Sequence, residues 1–240
     1  MAHSKGAEDD QVIILQGPPL SNGSSTSLVE YPFYMKQPTE KMDRLFNKYK
    51  DVLTKALGES VVSINPMGSG SIRGMPGSPM IDIMVSLKNY PPTAEQLDAM
   101  QSLNFGMMFG SGKAPHTDDD TWMGSTDFPP HGDFEEFKVD GKFPPEGHLG
   151  RVIIHLLHYS NPFVVRTQAY TRYLNSNEDA FRRYRDVKVQ GAKVGPSSED
   201  DNTQFFKYKG NKIATVRELA EEAMAWKEEN GIKFLEEQIS

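Results

Sequence analysis

The chain has 240 residues, a formal net charge of -7, 37% hydrophobic residues and no cysteine. That length fits one domain, or one domain with extensions, with apolar material for a sizeable core. The missing cysteines exclude disulfides and thiolate metal sites, and the acidic balance argues against broad nonspecific nucleic-acid binding while leaving room for a local basic groove. No apolar run is long enough to cross a bilayer. The N-terminus lacks the basic-then-apolar pattern of a signal peptide, so the expectation is a cytoplasmic protein without a membrane partner.

Residues 1–27 are polar and rich in Gly and Ser, and read as a flexible tail in which Val12 to Leu15 forms a possible edge strand. Residues 28–240 read as a single domain. Thr39 to Leu57 carries Met42, Leu45, Phe46, Tyr49, Val52, Leu53 and Ala56 on one face at helical spacing. Thr39 can cap that helix and Gly58 can end it. A strand over Val61 to Asn65 precedes a Gly-Ser turn, and a second strand covers Met80 to Leu87. Thr93 to Leu103 reads as a helix after Pro91 and Pro92. The stretch 104–148 is Gly-, Pro- and Asp-rich, with short strands predicted near Phe105 to Phe109 and Phe134 to Val139. Arg151 to Tyr159 is a further strand. Helices are predicted over Pro162 to Leu174, Glu178 to Val194 and Thr215 to Asn230. Helices around a small mixed sheet give an α+β (α/β-like) class.

The segment MGSGSIRGMPGSPMIDIMV, Met67 to Val85, concentrates the chemistry. Small residues at Gly68, Ser69, Gly70 and Ser71 let a polyphosphate approach the backbone, where N–H groups at a helix start can hold it. Asp82 is the one acid on an apolar strand, and an unpaired buried carboxylate is costly. From the adjacent strand it can hold Mg2+ against phosphates. This is the arrangement of a nucleotidyltransferase-type site. The plain alternative is a glycine turn beside a hydrogen-bonded acid at a sheet end. His155 can face the same cleft as a general acid or base, whereas His158, three residues on, faces the opposite side of a regular strand. A core histidine satisfied by a hydrogen bond is the competing reading.

A cationic stretch with interleaved aromatics follows. It includes Arg172, Arg183, Tyr184 and Lys188, and Tyr184 and Lys188 share a face of the predicted helix. Arg suits bidentate phosphate contacts and stacking, so a phosphate-bearing ligand fits between this helix and the Gly-Ser turn. A solvated helix face with inward aromatics is the alternative. Lys207, Lys209 and Lys212 form a second basic patch that reads as surface. Asp118, Asp119 and Asp120 lack the spacing of an EF-hand and read as a solvated loop.

The chain resembles the GrpB family, a branch of the nucleotidyltransferase fold, from about Tyr31 to Trp226. The strongest similarity is Gly68-Ser69, Gly74 and Pro79-Met80-Ile81-Asp82-Ile83-Met84-Val85, set against a family pattern G-S-T-x-x-P-G-L-x-x-K-P-I-I-D-I-x-V. Tyr170 to Leu174, with Tyr184 and Lys188, is similar to later family elements. The resemblance implies a small mixed sheet flanked by helices. Two departures stand out. Met84 occupies the place of the second acid found in active nucleotidyltransferases, and Pro66-Met67 replaces a histidine before the Gly-Ser pair. Two-metal chemistry needs several carboxylates. The expectation is therefore a transferase acting on a nucleotide- or RNA-activated substrate, with aminoacyl or acyl transfer to an amine ahead of standard nucleotidyl transfer. Asp82, His155 and Ser69 are the catalytic candidates. Gly68, Ser69, Gly70, Ser71, Arg172, Arg183, Tyr184 and Lys188 are the phosphate-binding candidates, and Asp82 is the metal candidate. A noncatalytic nucleotide- or phosphometabolite-binding module is the alternative, and an interaction domain with a vestigial pocket is a third.

Overall fold

The computed structural model describes residues 13–16, 32–35, 40–75, 80–113, 120–127, 151–192 and 201–239. Two short strands, β1 (Ile13–Gln16) and β2 (Pro32–Met35), pair antiparallel. The main sheet has five strands: β3 (Val61–Met67), β4 (Met80–Leu87), β5 (Gly106–Lys113), β6 (Asp120–Asp127) and β7 (Arg151–His158), in the order β3-β4-β7-β6-β5. β4 and β7 run parallel at its centre, and every other neighbouring pair is antiparallel. The fold is mixed α+β.

Helix α1 (Glu40–Leu57) and helix α2 (Ala94–Ser102) serve one face of this sheet. α1 stops at Gly58, whose φ of +60° suits glycine. α2 starts on a capping box between Thr93 and Gln96. Leu45, Leu53 and Leu57 of α1 and Met100 of α2 form a core with Ile81, Ile83, Val85 and Leu87 of β4 and Val152, Ile154 and Leu156 of β7. Period-2 alternation commits those strand positions to the α1/α2 side. On the opposite face of β4, Met84 is buried as well, packing with Leu157 and Val164.

Val164 belongs to α3 (Pro162–Ser176), which begins with Asn161 accepting from the Phe163 N–H and Pro162 in the first turn. Asn177 separates α3 from α4 (Glu178–Ala192), its side chain accepting from the Ala180 N–H. α5 (Asp201–Glu229) packs on both, and α6 (Leu235–Gln238) is a short terminal turn. A second core of Ile72, Met75, Ala169, Tyr173, Leu174, Ala180, Tyr184, Leu219 and Ala223 holds these helices together.

α5 starts at Asp201, not at the expected Thr215; its first half, DNTQFFKYKGNK, carries no helical apolar period by which the sequence would reveal it. β2, β6 and α6 go beyond the sequence expectations. The expected strand at Phe134 to Val139 lies outside the described residues, as do Asp118 and Asp119; Asp120 opens β6. Among the described residues no helix is long and apolar enough to cross a membrane.

Candidate functional site

Alternation along β4 and β7 settles where the two catalytic candidates face. Ile81, Ile83, Val152 and Ile154 belong to the α1/α2 core, so Asp82 and His155, of opposite parity, share the α3 side. Asp82 stands in register with Met67 of β3 and Ile153 of β7, and His155 with Met84 of β4. Asp82 Oδ1 lies 3.9 Å from His155 Nε2. That is beyond a direct hydrogen bond, yet close enough for one polar atom to serve both. The His155 side chain is buried, and its Nδ1 has no hydrogen-bond partner among the described residues. His158 falls on the opposite parity, its Nδ1 2.7 Å from the Ser160 hydroxyl.

The Gly-Ser segment meets Asp82 directly. Gly68 has a φ of +68°, and a Cβ there would lie 2.6 Å from Asp82 Oδ2. Both the backbone conformation and the close approach therefore require glycine. The sequence suggested a helix start here; the structure instead forms a single 3-10 turn, Ser69–Ser71. The Ser71 and Ile72 N–H groups donate to the carbonyls of Gly68 and Ser69 at 3.3 and 3.2 Å, so neither points at a ligand. The Ser71 hydroxyl donates to the Gly68 carbonyl at 2.7 Å and lies 3.0 Å from Thr171 Oγ1. Asn175 accepts from the Arg73 N–H at 2.9 Å and donates to the Ser71 carbonyl at 3.1 Å. Ser71 thus works as an anchor that clamps the turn onto α3. Gly68, Ser69 and Gly70 remain half-buried, with Gly68 against Asp82.

α4 supplies the third side. Lys188 is buried, its ammonium 5.3 Å from the centre of the Tyr184 ring. The Tyr184 ring meets Tyr170 of α3 edge-on, with centroids 5.9 Å apart. Burial above all, and the Lys212 charge with it, push the Lys188 amine down to about 7 against the opposing pull of Asp82. Burial also raises the Tyr170 hydroxyl above its ordinary range, with the Tyr184 charge adding to it, and that hydroxyl has no partner among the described residues.

The two arginines go elsewhere. Arg183 forms ion pairs at 2.9 Å with Glu218 and Glu222 of α5. The Glu222 hydrogen bond, outweighing partial burial, lifts the guanidinium above its ordinary range. Arg183 therefore ties α4 to α5, while Arg172 is exposed on α3. Tyr184 is a core residue as well as a neighbour of Lys188.

A polar network on the same sheet face escaped sequence reasoning. Asn65 donates to the Ser63 hydroxyl at 2.8 Å, and the Ser63 and Ser86 hydroxyls are 2.8 Å apart. Both hydroxyls donate to the buried Glu236 carboxylate of α6, Ser86 at 3.2 Å. Nothing local in the sequence marks it, because Glu236 comes from the last turn of the chain. Among the described residues no group of three His, Asp or Glu side chains converges as a metal site. Met84 beside His155 offers no second carboxylate, so the residues present do not fit a two-Mg2+ centre.

The sequence profile of the GrpB protein family matches residues 32–222. The "Glutamate-rich protein GrpB" of Alkalihalophilus pseudofirmus is 26% identical over 171 residues, covering 69% of this chain and 84% of that protein. The crystal structure of a conserved protein GrpB from Enterococcus faecalis superposes with a TM-score of 0.50 at 18% identity, over 77% of this chain and 98% of that one. At that identity the superposition speaks to the fold. The profile match spans most of the chain, which therefore belongs to the GrpB family.

Proposed function

We propose that this chain is a transferase that moves an acyl or aminoacyl group from a nucleotide- or RNA-borne donor to an amine. The observation that carries the reading is the Asp82–His155 pair, 3.9 Å apart on one sheet face, with Gly68 against the carboxylate. An amine nitrogen can stand about 2.9 Å from both side chains at once. Such placement makes the encounter effectively unimolecular. The amine nitrogen then bonds to the acyl carbon, and the bond from that carbon to the donor oxygen breaks. The proton lost by the amine passes to Asp82 or His155 and on to the departing oxygen. Gly68, Ser69 and Gly70 offer the donor phosphate a close approach, Lys188 supplies charge beneath it, and exposed Arg172 suits an RNA backbone at the rim. No step needs Mg2+, and the donor set favours proton transfer over metal chemistry.

Purified protein given charged tRNA or nucleoside triphosphates, together with amine acceptors, tests the reading. The expected result is consumption of a donor that falls at least about a hundredfold in Asp82→Asn. If no donor is consumed, the transfer reading fails.

One observation favours a second reading. Met84 occupies the place of a second acid, and the described residues hold no three-ligand metal cluster. A noncatalytic nucleotide- or phosphometabolite-binding module needs neither. It would show stabilisation without turnover, about 2.7 kcal/mol at a ligand concentration one hundred times Kd.

A further inference from the structure

The side-chain amide nitrogen of Gln168, on α3, is shut off from solvent and has no hydrogen-bond acceptor among the described residues. Native folds leave few such donors, because each one costs its desolvation. The face of α3 that carries Gln168 is fixed at both ends. Val164 packs with Met84 and Leu157 of the sheet. The Thr171 hydroxyl lies 3.0 Å from that of Ser71, and Asn175 bonds the Ser71 carbonyl and the Arg73 N–H. At about 100° per residue, Gln168 falls with Val164, Thr171 and Asn175 in a stripe about 60° wide. It therefore faces the sheet between Met84 and the Gly-Ser turn. The step from Val164 to Gln168 covers about 6 Å along α3. Two residues along a strand cover about 6.6 Å. The same step beneath α3 leads from Leu157 to His155 on β7, and from Met84 to Asp82 on β4, where Gly68 meets the carboxylate. Gln168 thus stands over the Asp82–His155 pair. His155 Nδ1 is likewise buried without a partner, while the Asp82 side chain keeps 21% exposure and leaves an entrance. The last torsion of a glutamine is broad, so its amide can be aimed at a guest over Asp82 without moving α3.

We propose that the Gln168 amide holds the acyl carbonyl oxygen of the donor over the Asp82–His155 pair. This deepens the transfer reading and rests on it. As the amine nitrogen bonds to the acyl carbon, the carbonyl oxygen gains negative charge, and an N–H already aimed there stabilises it. That charge returns to the carbonyl double bond as the bond from the acyl carbon to the donor oxygen breaks. The amine proton leaves through Asp82 or His155 to the departing oxygen, and Gln168 keeps its own protons throughout. The division of labour is chemical: the acid and the imidazole take the amine, and the neutral amide takes the acyl group.

Titration calorimetry with two stable acyl probes tests this. An adenosine 3′-aminoacyl amide stands for an RNA-borne donor, and a sulfamoyl analogue of an aminoacyl-adenylate stands for a nucleotide-borne one; the tighter of the two identifies the donor class. Gln168→Met is close in volume to the wild type and has no N–H to give. It is expected to bind the tighter probe about tenfold more weakly, to bind the same nucleoside without its acyl group unchanged, and to keep or raise Tm because the orphaned donor is gone. Its kcat for donor consumption is expected to fall about a hundredfold, with a smaller change in KM. Three results overturn the proposal: neither probe binds, Gln168→Met binds the acyl probes as tightly as the wild type (a water alone meets the amide), or the acyl-free nucleoside loses affinity in parallel (a structural role only). Donor consumption that survives Gln168→Met sinks this inference alone. Gln168-dependent binding of an acyl probe with no donor consumed sinks the transfer reading alone.

Discussion

Two lysines are buried to the same 2% exposure, and the molecule treats them in opposite ways. Lys227, near the end of α5, meets Glu237 of α6 at 2.8 Å and Glu228 at 3.0 Å. The Glu237 hydrogen bond, outweighing burial, raises its amine above the ordinary value. Lys188, on α4 beside the sheet, has an aromatic ring and a second cation as neighbours and titrates well below the ordinary value. One region closes its charges internally and pins the C-terminal turn, where Glu236 also reaches Ser63 and Ser86. The other sets its lysine against the Tyr184 ring, with Asp82 as the carboxylate that attracts it. A buried lysine held by two carboxylates serves the fold, whereas one lodged against an aromatic ring bears the cost of its own burial.

The comparison can be broken most forcefully at Lys188. Its folded-state titration is depressed from 10.5 to about 7, so the unfolded chain binds the proton more tightly. The penalty is full below pH 7 and shrinks as pH rises toward 10.5. Denaturation across this interval is expected to show wild-type stability rising by at most about 4 kcal/mol relative to Lys188→Met, which has no such term. Next in size is the reverse effect at Lys227. Lys227→Met is expected to destabilise by about 1–3 kcal/mol, because it strands Glu237, which is 29% exposed. Equal signs at the two lysines would dissolve the distinction.

Gly68→Ala sharpens the picture on the site side. The added Cβ meets Asp82 Oδ2 and sits at a positive φ, at an expected cost of about 1–2 kcal/mol. Only the steric part is expected to return in the Gly68→Ala/Asp82→Ala double variant, as a coupling of about 0.5–1 kcal/mol in urea melts. The smallest effect belongs to Thr93→Ala, which removes the α2 capping box. It is expected to cost about 1 kcal/mol and leave donor consumption unchanged, which marks the α1/α2 side as scaffold.

How much of this was legible depends on the distance over which each feature is determined. β4 ran over the expected Met80 to Leu87, because a short apolar run between turn residues declares itself locally. The shared face of Asp82 and His155 follows from period-2 parity once the two strands are paired parallel. The Tyr184–Lys188 pairing follows from the helical i,i+4 rule. The burial of Lys188 does not follow, because it is decided by packing against elements remote in sequence. The same holds for Ser71, whose hydroxyl meets Thr171 one hundred residues away, and for Arg183, which α5 claims through Glu218 and Glu222. The long first half of α5 was hidden for a different reason, its apolar residues having no period.

The most direct test is to follow the ε-amine of Lys188 by NMR through a pH titration. The account predicts a midpoint near 7. A midpoint near 10.5 would mean that Lys188 is already hydrated or paired, and would contradict the account.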